Sequence, residues 1–325
     1  MQPSLIADWT AEQTQAMACA TLVARHRLHE AEVFTDAGLI RLLDKHPDEH
    51  LSVSTMGTDE SRNEWREGDR DGRSGEELLE ALKRGRLWLN LRRSVDIHPE
   101  IARLVNGAYD ELEQLCPGFR AKQRTANLLL SSPRCHVHYH LDAPLNMLWH
   151  LRGEKRVWVY PLGENTVSQE NVENVISGAM SEDLPYWPDL DQYAKVFDLQ
   201  PGEMITWAQH TPHRVTNQES FNVSLSTEHY TKEAVRLVNV HMANQYLRNT
   251  WHLPDCNSLE THGLCALSKI ATIRIMRRIW KLTKHQPPRY KIPRTFCVDL
   301  DAPNCIRDYE GVESVETPAE AVLQA

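Results

Sequence analysis

Two short stretches of the chain concentrate side chains that bind metal ions. His140 and Asp142 stand two positions apart in the first stretch, and His213 lies in the second. Side chains two positions apart on a β-strand point to the same face, so His140 and Asp142 would lie side by side. With His213 they would form a set of two histidines and one carboxylate. Such a set occupies one face of an octahedral metal and leaves the other face open, which is typical of non-haem Fe(II) oxygen chemistry.

Other histidines compete for these ligand positions. His138 precedes His140 on the same face of the predicted strand. The alternative metal pattern H-x-H followed by Glu is excluded because positions 141–149 contain no Glu. We therefore predict that His138 supports the site or faces the substrate instead of binding the metal. His210 competes with His213 and is predicted to lie at the rim of the pocket.

The residues around these histidines are typical of short antiparallel strands. Apolar, β-branched and aromatic residues alternate with polar ones between Pro and Gly turns. The predicted strands are 145–151, 156–160, 203–207, 213–216 and 221–229. Many short strands with polar side chains facing inwards indicate a β-barrel or jelly roll whose mouth holds a ligand.

The segment from about 120 to 230 resembles the JmjC/cupin-type hydroxylases that use Fe(II) and 2-oxoglutarate, a group that includes ribosomal-protein hydroxylases. Their pattern has H-x-D, then an Asn four, a Gly eleven and a Lys thirteen residues after the Asp. A second segment has P-G-[DE] and a His eleven residues after its Gly. The matching residues here are His140, Asp142, Asn146, Gly153, Lys155, Pro201, Gly202, Glu203 and His213.

The resemblance implies both a fold and a reaction. The fold would be mainly β, with a double-stranded β-helix (jelly roll) core between an N-terminal α/β extension and a C-terminal helical extension. The reaction would be hydroxylation of an unactivated C–H bond with O2 and 2-oxoglutarate, releasing succinate and CO2. The substrate would be a peptide or protein side chain, a small metabolite, or a sugar or lipid precursor. His140, Asp142 and His213 would hold Fe(II), Lys155 would pair with the distal carboxylate of 2-oxoglutarate, and Asn146 would also contact it.

Two positions depart from the family pattern. Val137 stands where several members have a Thr that contacts the cosubstrate, and Glu228 stands where the last strand often carries an inward Asn. We expect Asn222, Ser224 or Ser226 on that strand to take over the contact.

Two other classes of function fit part of the same pattern. One is a non-enzymatic, metal-binding cupin-like sensor or partner-binding module. The other is an oxygenase without 2-oxoglutarate, or a cupin isomerase. The three ligands and Lys155 are all retained, which favours the 2-oxoglutarate oxygenase.

Composition excludes several partners and compartments. The net charge of −9 over 325 residues argues against general nucleic-acid binding. Seven scattered Cys without a C-x-x-C pair suit a reducing cytosol. The N-terminal residues show no secretory signal, and no apolar run is long enough to span a membrane. The expected location is cytoplasmic, with possible attachment to the inner face of a membrane.

We expect three parts: a mixed extension over 1–120, the catalytic core over 121–230, and a helical region over 231–325. Within them, the pattern predicts helices, a charged loop and an acidic insert between the two halves of the metal site that could serve as a lid. The helices are 10–34, 35–46, 75–84, 99–115, 231–249 and 258–284; the loop is 59–73 and the insert is 163–193.

A basic segment stands out in the C-terminal region. Residues 269–294 contain nine Lys or Arg and no Asp or Glu. Its apolar residues could pack on the barrel, or form a homodimer as C-terminal helices often do in the family. Alternatively, the segment could contact an anionic membrane surface or an acidic partner. After Asp308 the sequence is an acidic tail.

Overall fold

Two β-sheets form the centre of the protein, in a computed structural model that describes residues 4–282 and 293–310. The larger sheet has eleven strands in the order β1-β2-β11-β8-β13-β6-β5-β3-β4-β14-β15, and the smaller has the order β10-β9-β12-β7. The strands are β1 Ile6–Ala7, β2 Leu22–His26, β3 Leu51–Thr55, β4 Arg66–Asp69, β5 Trp88–Leu91, β6 Lys122–Ser131, β7 His136–His140, β8 Leu145–Arg152, β9 Lys155–Val159, β10 Lys195–Leu199, β11 Glu203–Thr206, β12 His213–Asn217, β13 Asn222–Tyr230, β14 Arg294–Val298 and β15 Ile306–Asp308.

Inward residues of both sheets pack together. Leu148 and Ile205 of the larger sheet share a buried cluster with Val157, Val159 and Val215 of the smaller sheet. Alternate residues of β9 are buried, as expected for strands with one face on the core. The predicted β-rich jelly-roll core is confirmed.

Helices cover the outer surface of the larger sheet and follow the core. They are α1 Ala11–Ala16, α2 Asp36–Lys45, α3 Gly75–Arg84, α4 Ser94–Ile97, α5 Pro99–Leu115, α6 Gln169–Ser177, α7 Lys232–Trp251 and α8 Gly263–Leu282. Local signals set several boundaries. Ser74 and Glu77 form the predicted capping box at the start of α3, and Pro99 occupies the first turn of α5.

The predicted helix over 10–34 is wrong. Only Ala11–Ala16 is α-helical, Leu22–His26 forms strand β2, and Leu28–Glu30 and Glu32–Phe34 are single 3-10 turns. Leu22, Ala24 and His26 are buried on one face of β2, and β2 pairs with β11 of the core. Pairing with a distant strand outweighs local helix preference here, because propensity alone contributes little.

Two further regions contain strands that sequence patterns did not predict. Arg66–Asp69 forms β4 inside the predicted loop 59–73. The C-terminal region, expected to be helical, contributes β14 and β15, and β14 pairs in parallel with β4. The larger sheet therefore includes strands from all three predicted parts of the chain, and the division at 120 and 230 stays a prediction.

Helix α8 packs one face on α7 and exposes another. Ile270 and Ile273 are buried, whereas Leu264 and Ile275 are 88% and 60% exposed. No helix within 4–282 and 293–310 is long and apolar enough to cross a membrane. The homodimer and the contact with an anionic membrane surface or acidic partner stay predictions. Positions 283–292 of the basic segment, and the acidic tail from 311 onwards, lie outside the described residues.

Candidate metal centre

Strand register brings the first and last predicted ligands together. His140 at the end of β7 is the direct antiparallel partner of His213 at the start of β12, and their ring centroids are 4.1 Å apart. Asp142 follows β7 by two residues, and its Oδ2 lies 3.5 Å from Nε2 of His213. One ligand atom from each of the three residues falls within 4.8 Å of the others. This set could hold a metal ion.

Backbone carbonyls fix which ring nitrogen of each histidine faces the site. Nδ1 of His140 donates to the carbonyl of His138 at 2.8 Å, and Nδ1 of His213 donates to the carbonyl of Thr211 at 3.2 Å. Since a carbonyl only accepts, Nδ1 carries the hydrogen in both neutral rings. Nε2 of each ring is then left with a free lone pair, as a metal ligand requires.

Burial shifts the pKa values of two of these residues in ways that favour a bound cation. It holds the pKa of His213 well below its ordinary value, so this ring is neutral at physiological pH. Burial also raises the pKa of Asp142, and Oδ2 of Asp142 is buried without a hydrogen-bond partner. A buried carboxylate oxygen without a partner is costly. A divalent cation would stabilise it.

The three ligands line a cavity of about 330 Å³, within the range of small-molecule sites. Lys155, at the start of β9, lines the same cavity and is 1% exposed. Its burial lowers the pKa of the ammonium to about 7. Its Nζ lies 5.3 Å from the ring centroid of Trp88. Among the described residues no carboxylate forms an ion pair with Lys155.

The remaining predicted contacts separate into two groups. Asn146 lines the cavity, and its Nδ2 donates to Ser226 Oγ at 3.0 Å. Asn222 and Ser224 do not line it, so the structure gives their predicted cosubstrate contact no support. Ser224 bonds through Oγ to the ring of His150 at 3.1 Å, in a fully buried position beyond the cavity. Ser226, the third residue predicted for this contact, does line the cavity, whereas Asn222 and Ser224 lie further along β13.

The positions of the two competing histidines show that neither belongs to the candidate ligand set. His138 lines the cavity beside the ring of Tyr186, at a centroid distance of 5.7 Å, and is not within the ligand set. His210 is outside the cavity lining, with Nε2 bonded to the carbonyl of Ala143 at 3.1 Å. The predicted substrate-facing place of His138 fits this geometry. The predicted rim position of His210 does not.

Sequence reasoning missed three acidic residues of the cavity. Glu182 and Asp183 come from the insert and Glu228 from β13. Burial and the negative charge of Asp142 raise the pKa of the Glu228 carboxyl group to about 7, and the same two causes also raise the pKa of Glu182. Glu228 is half-buried on β13, whereas Glu182 is exposed at the rim, where water screens its charge. Glu228 was noted only as a departure from the family pattern.

The insert and the loop 59–73 together form the mouth of the cavity. The insert is tied to β7 by backbone bonds from Leu141 to Glu182 and from Leu184 to Tyr139. Trp65, in the loop, also lines the cavity. The predicted position of the insert, between the two halves of the metal site, agrees with this arrangement.

Arg214 joins these two segments to the core. It is 6% exposed. Its guanidinium lies 3.5 Å from the ring centroid of Trp158. It pairs with Glu60 of the loop at 3.1 Å and with Asp191 of the insert at 2.5 Å. One buried cation on β12 therefore holds both sides of the mouth.

We expect Arg214→Ala to lower the free energy of unfolding by about 2–3 kcal/mol. This is less than the 3–5 kcal/mol typical of a broken, fully buried pair, because Glu60 and Asp191 reach solvent. Urea denaturation measures the change. The control is Arg134→Ala, which removes an ion pair with Glu219 whose side chains are 70% and 75% exposed; it should cost below about 1 kcal/mol. Equal losses for both variants would contradict the role of Arg214.

Comparisons with known proteins place the fold. No family model and no curated protein matches the sequence. Among solved structures, YcfD, a ribosomal oxygenase from Escherichia coli in complex with cobalt and 2-oxoglutarate, matches with a TM-score of 0.50 and 13% identity over 87% of this chain and 70% of that chain. Another structure of Escherichia coli YcfD matches with a TM-score of 0.49 and 14% identity over 88% of this chain and 70% of that chain. The resemblance to JmjC/cupin-type hydroxylases is thereby confirmed at the level of the fold, which this chain shares with the ribosomal oxygenase YcfD.

Proposed function

We propose that this protein is an Fe(II)- and 2-oxoglutarate-dependent oxygenase that hydroxylates a C–H bond of its substrate. The observation that carries the proposal is a single cavity with the two-histidine, one-carboxylate set and the buried Lys155 in its lining. Either feature by itself would also fit a different kind of binding site. Together they match the two ends of 2-oxoglutarate, a chelating keto acid and a distal carboxylate.

The residues present fit a divalent metal. His140 and His213 direct Nε2 to the site, and Asp142 supplies an oxygen that is buried without a hydrogen-bond partner. Two nitrogen ligands and one oxygen ligand suit Fe(II) with open positions. When bound, the metal and 2-oxoglutarate would supply the O2 activation that oxidises the substrate, with succinate and CO2 as co-products.

Lys155 fits the distal carboxylate. A buried ammonium is costly unless it is paired, and among the described residues it has an aromatic neighbour but no carboxylate. A bound dicarboxylate would supply the missing negative charge and keep the ammonium protonated. The role of Lys155 would be to orient the cosubstrate.

The chain's other residues would shape access to the cavity. Trp207 packs on the ring of His213 at a centroid distance of 4.2 Å and holds its orientation. The insert and the loop 59–73, joined by Arg214, restrict entry of water. Escherichia coli YcfD, which has the same fold, was solved with cobalt and 2-oxoglutarate, which supports this pair of ligands here.

The decisive experiment is an anaerobic titration of the Fe(II)-loaded protein with 2-oxoglutarate. Binding is followed by the metal-to-ligand charge-transfer absorption band and by calorimetry. We expect metal-dependent binding, and slow succinate release when O2 is admitted. Glutarate, which lacks the 2-keto oxygen, is the matched control and should bind at least tenfold more weakly. Failure of both 2-oxoglutarate and its non-reactive analogue N-oxalylglycine to bind the metal-loaded protein would refute the proposal.

A further inference from the structure

The cavity carries three carboxylates that the proposed chemistry does not use. Glu228 lies half-buried on β13, while Glu182 and Asp183 come from the insert. Asp183 forms an isolated β-bridge with His140, so this pair of acids lies beside the ligand set. Within the described part of the chain, none of the three forms an ion pair with a lysine or arginine.

The metal centre would not neutralise these acids. The charges of Fe(II) and of the Lys155 ammonium offset the Asp142 carboxylate and the two carboxylates of 2-oxoglutarate. The loaded centre is therefore neutral overall and supplies no net positive charge to Glu182, Asp183 and Glu228. Uncompensated carboxylates in a partly dehydrated cavity favour a cationic ligand.

Two buried polar atoms in the same lining also lack partners. Asn146 is 5% exposed and His138 is 8% exposed, and Oδ1 of Asn146 and Nδ1 of His138 have no hydrogen-bond partner. Asn146 is the direct strand partner of Glu228. 2-Oxoglutarate offers only acceptors, so it cannot satisfy Oδ1 of Asn146. An N–H donor placed between Asn146 and Glu228 could satisfy both.

Aromatic side chains complete these surroundings. Trp65, from the loop at the mouth, and Trp88, from β5, line the cavity with their ring centroids 6.1 Å apart. Aromatic faces attract cations, with guanidinium groups the most frequent partners in proteins.

We propose that the primary substrate carries a cationic nitrogen group, an ammonium or a guanidinium, that pairs with Glu228 and lies near Glu182 and Asp183. This inference rests on the proposed function. It depends on a position where this sequence departs from the family pattern, because Glu228 stands where an inward Asn is usual. A carboxylate there selects a cation, whereas an amide does not.

The experiment measures binding of defined probes to the protein loaded with Mn(II) and 2-oxoglutarate. The cationic probes are N-acetyl-arginine amide and N-acetyl-lysine amide, and their neutral analogues are N-acetyl-citrulline amide and N-acetyl-norleucine amide. Calorimetry gives affinity, and enhanced relaxation of probe protons by Mn(II) reports proximity to the metal. We expect at least one cationic probe to bind tenfold or more tightly than its neutral analogue, with relaxation enhancement.

Two variants and one control assign the effect to Glu228. Glu228→Gln and Glu228→Asn should weaken the cationic probe at least tenfold while leaving affinity for Mn(II) and 2-oxoglutarate within about twofold. Glu76→Gln, an exposed acid on α3, should change nothing. Equal affinity for cationic and neutral probes, or wild-type affinity in both Glu228 variants, would overturn the inference.

The outcomes also separate this inference from the proposed function. Loss of cation preference with intact Mn(II) and 2-oxoglutarate binding refutes only the substrate class. If the metal and 2-oxoglutarate do not bind, the proposed function fails, and the same titration of the protein alone still decides whether the acids select a cation. A nine-residue peptide with a central Arg or Lys tests whether the cationic group belongs to a protein side chain or to a small amine. Tenfold tighter binding than the amino-acid amide indicates a protein side chain, and equal affinity indicates a small amine.

Discussion

Replacing His140, Asp142 or His213 with alanine is expected to abolish Fe(II) binding under conditions that saturate the wild type. Each residue supplies one of the three ligand atoms that lie within 4.8 Å of one another. Losing any one leaves two protein ligands, and water then competes more strongly for the ion. Metal content after dialysis, measured by mass spectrometry, tests this, and succinate release should fall to background.

The matched controls are His138→Ala and His210→Ala. His138 lines the cavity without belonging to the ligand set, and His210 is bonded to the carbonyl of Ala143 outside it. Both variants should retain one metal ion per chain. Loss of iron from His138→Ala, together with wild-type binding by His140→Ala, would reverse the assignment.

Lys155→Ala is expected to weaken 2-oxoglutarate binding at least a hundredfold. It would leave the distal carboxylate buried without its partner, a loss of roughly 3–5 kcal/mol, and about 1.4 kcal/mol corresponds to a factor of ten. Iron affinity should change little, because Lys155 is not a ligand. Lys155→Arg should rescue only partly, since the larger planar group crowds the cavity. Unchanged affinity in Lys155→Ala would mean that another cation holds the carboxylate.

The same residue should make cosubstrate binding depend on pH. The pKa of Lys155 is lowered to about 7 in the folded protein, so above pH 7 a proton must be taken up when 2-oxoglutarate binds. Affinity should therefore fall by up to about tenfold per pH unit above 7. Calorimetry in buffers of different ionisation enthalpy measures this proton uptake.

The free energy of unfolding should change with pH in the opposite direction. Unfolded lysine has a pKa of about 10.4, so between pH 7 and 10 the unfolded chain binds more protons and stability rises with pH. The penalty for burying Lys155 is fully present below pH 7. Lys155→Met removes it and should raise the free energy of unfolding near pH 7 while abolishing tight 2-oxoglutarate binding.

The grouping of the three candidate ligands could be predicted from the sequence because its determinants are mostly local. His140 and Asp142 share a short segment, and the spacing from Asp142 to Lys155 spans one hairpin, so residue types and intervals carry the geometry. That His213 joins them was implied by the family pattern, whereas its strand pairing with His140 is seen only in the structure. Local signals also gave the capping box at Ser74.

The features that could not be predicted from the sequence depend on contacts between distant segments of the chain. Strand β2 exists because β11 pairs with it, which no helical or strand pattern in 10–34 reveals. Glu182 reaches the cavity through the fold of the insert, and Ser224 lies further along β13 than the residues that line the cavity. Alternation predicts the face of a strand and not the depth along it.

The parallel pairing of β14 with β4 has a consequence for how the site can change. Arg294 aligns with Glu67, and Arg66 donates to Thr295 at 3.1 Å. The loop that carries Trp65 is therefore held by the C-terminal strands as well as by Arg214 of β12. Substitutions in β14 or β15 would act on the entrance to the cavity from a part of the sheet that holds none of the three candidate ligands. In the proposed oxygenase, which molecule enters could therefore change through positions far from the reactive centre.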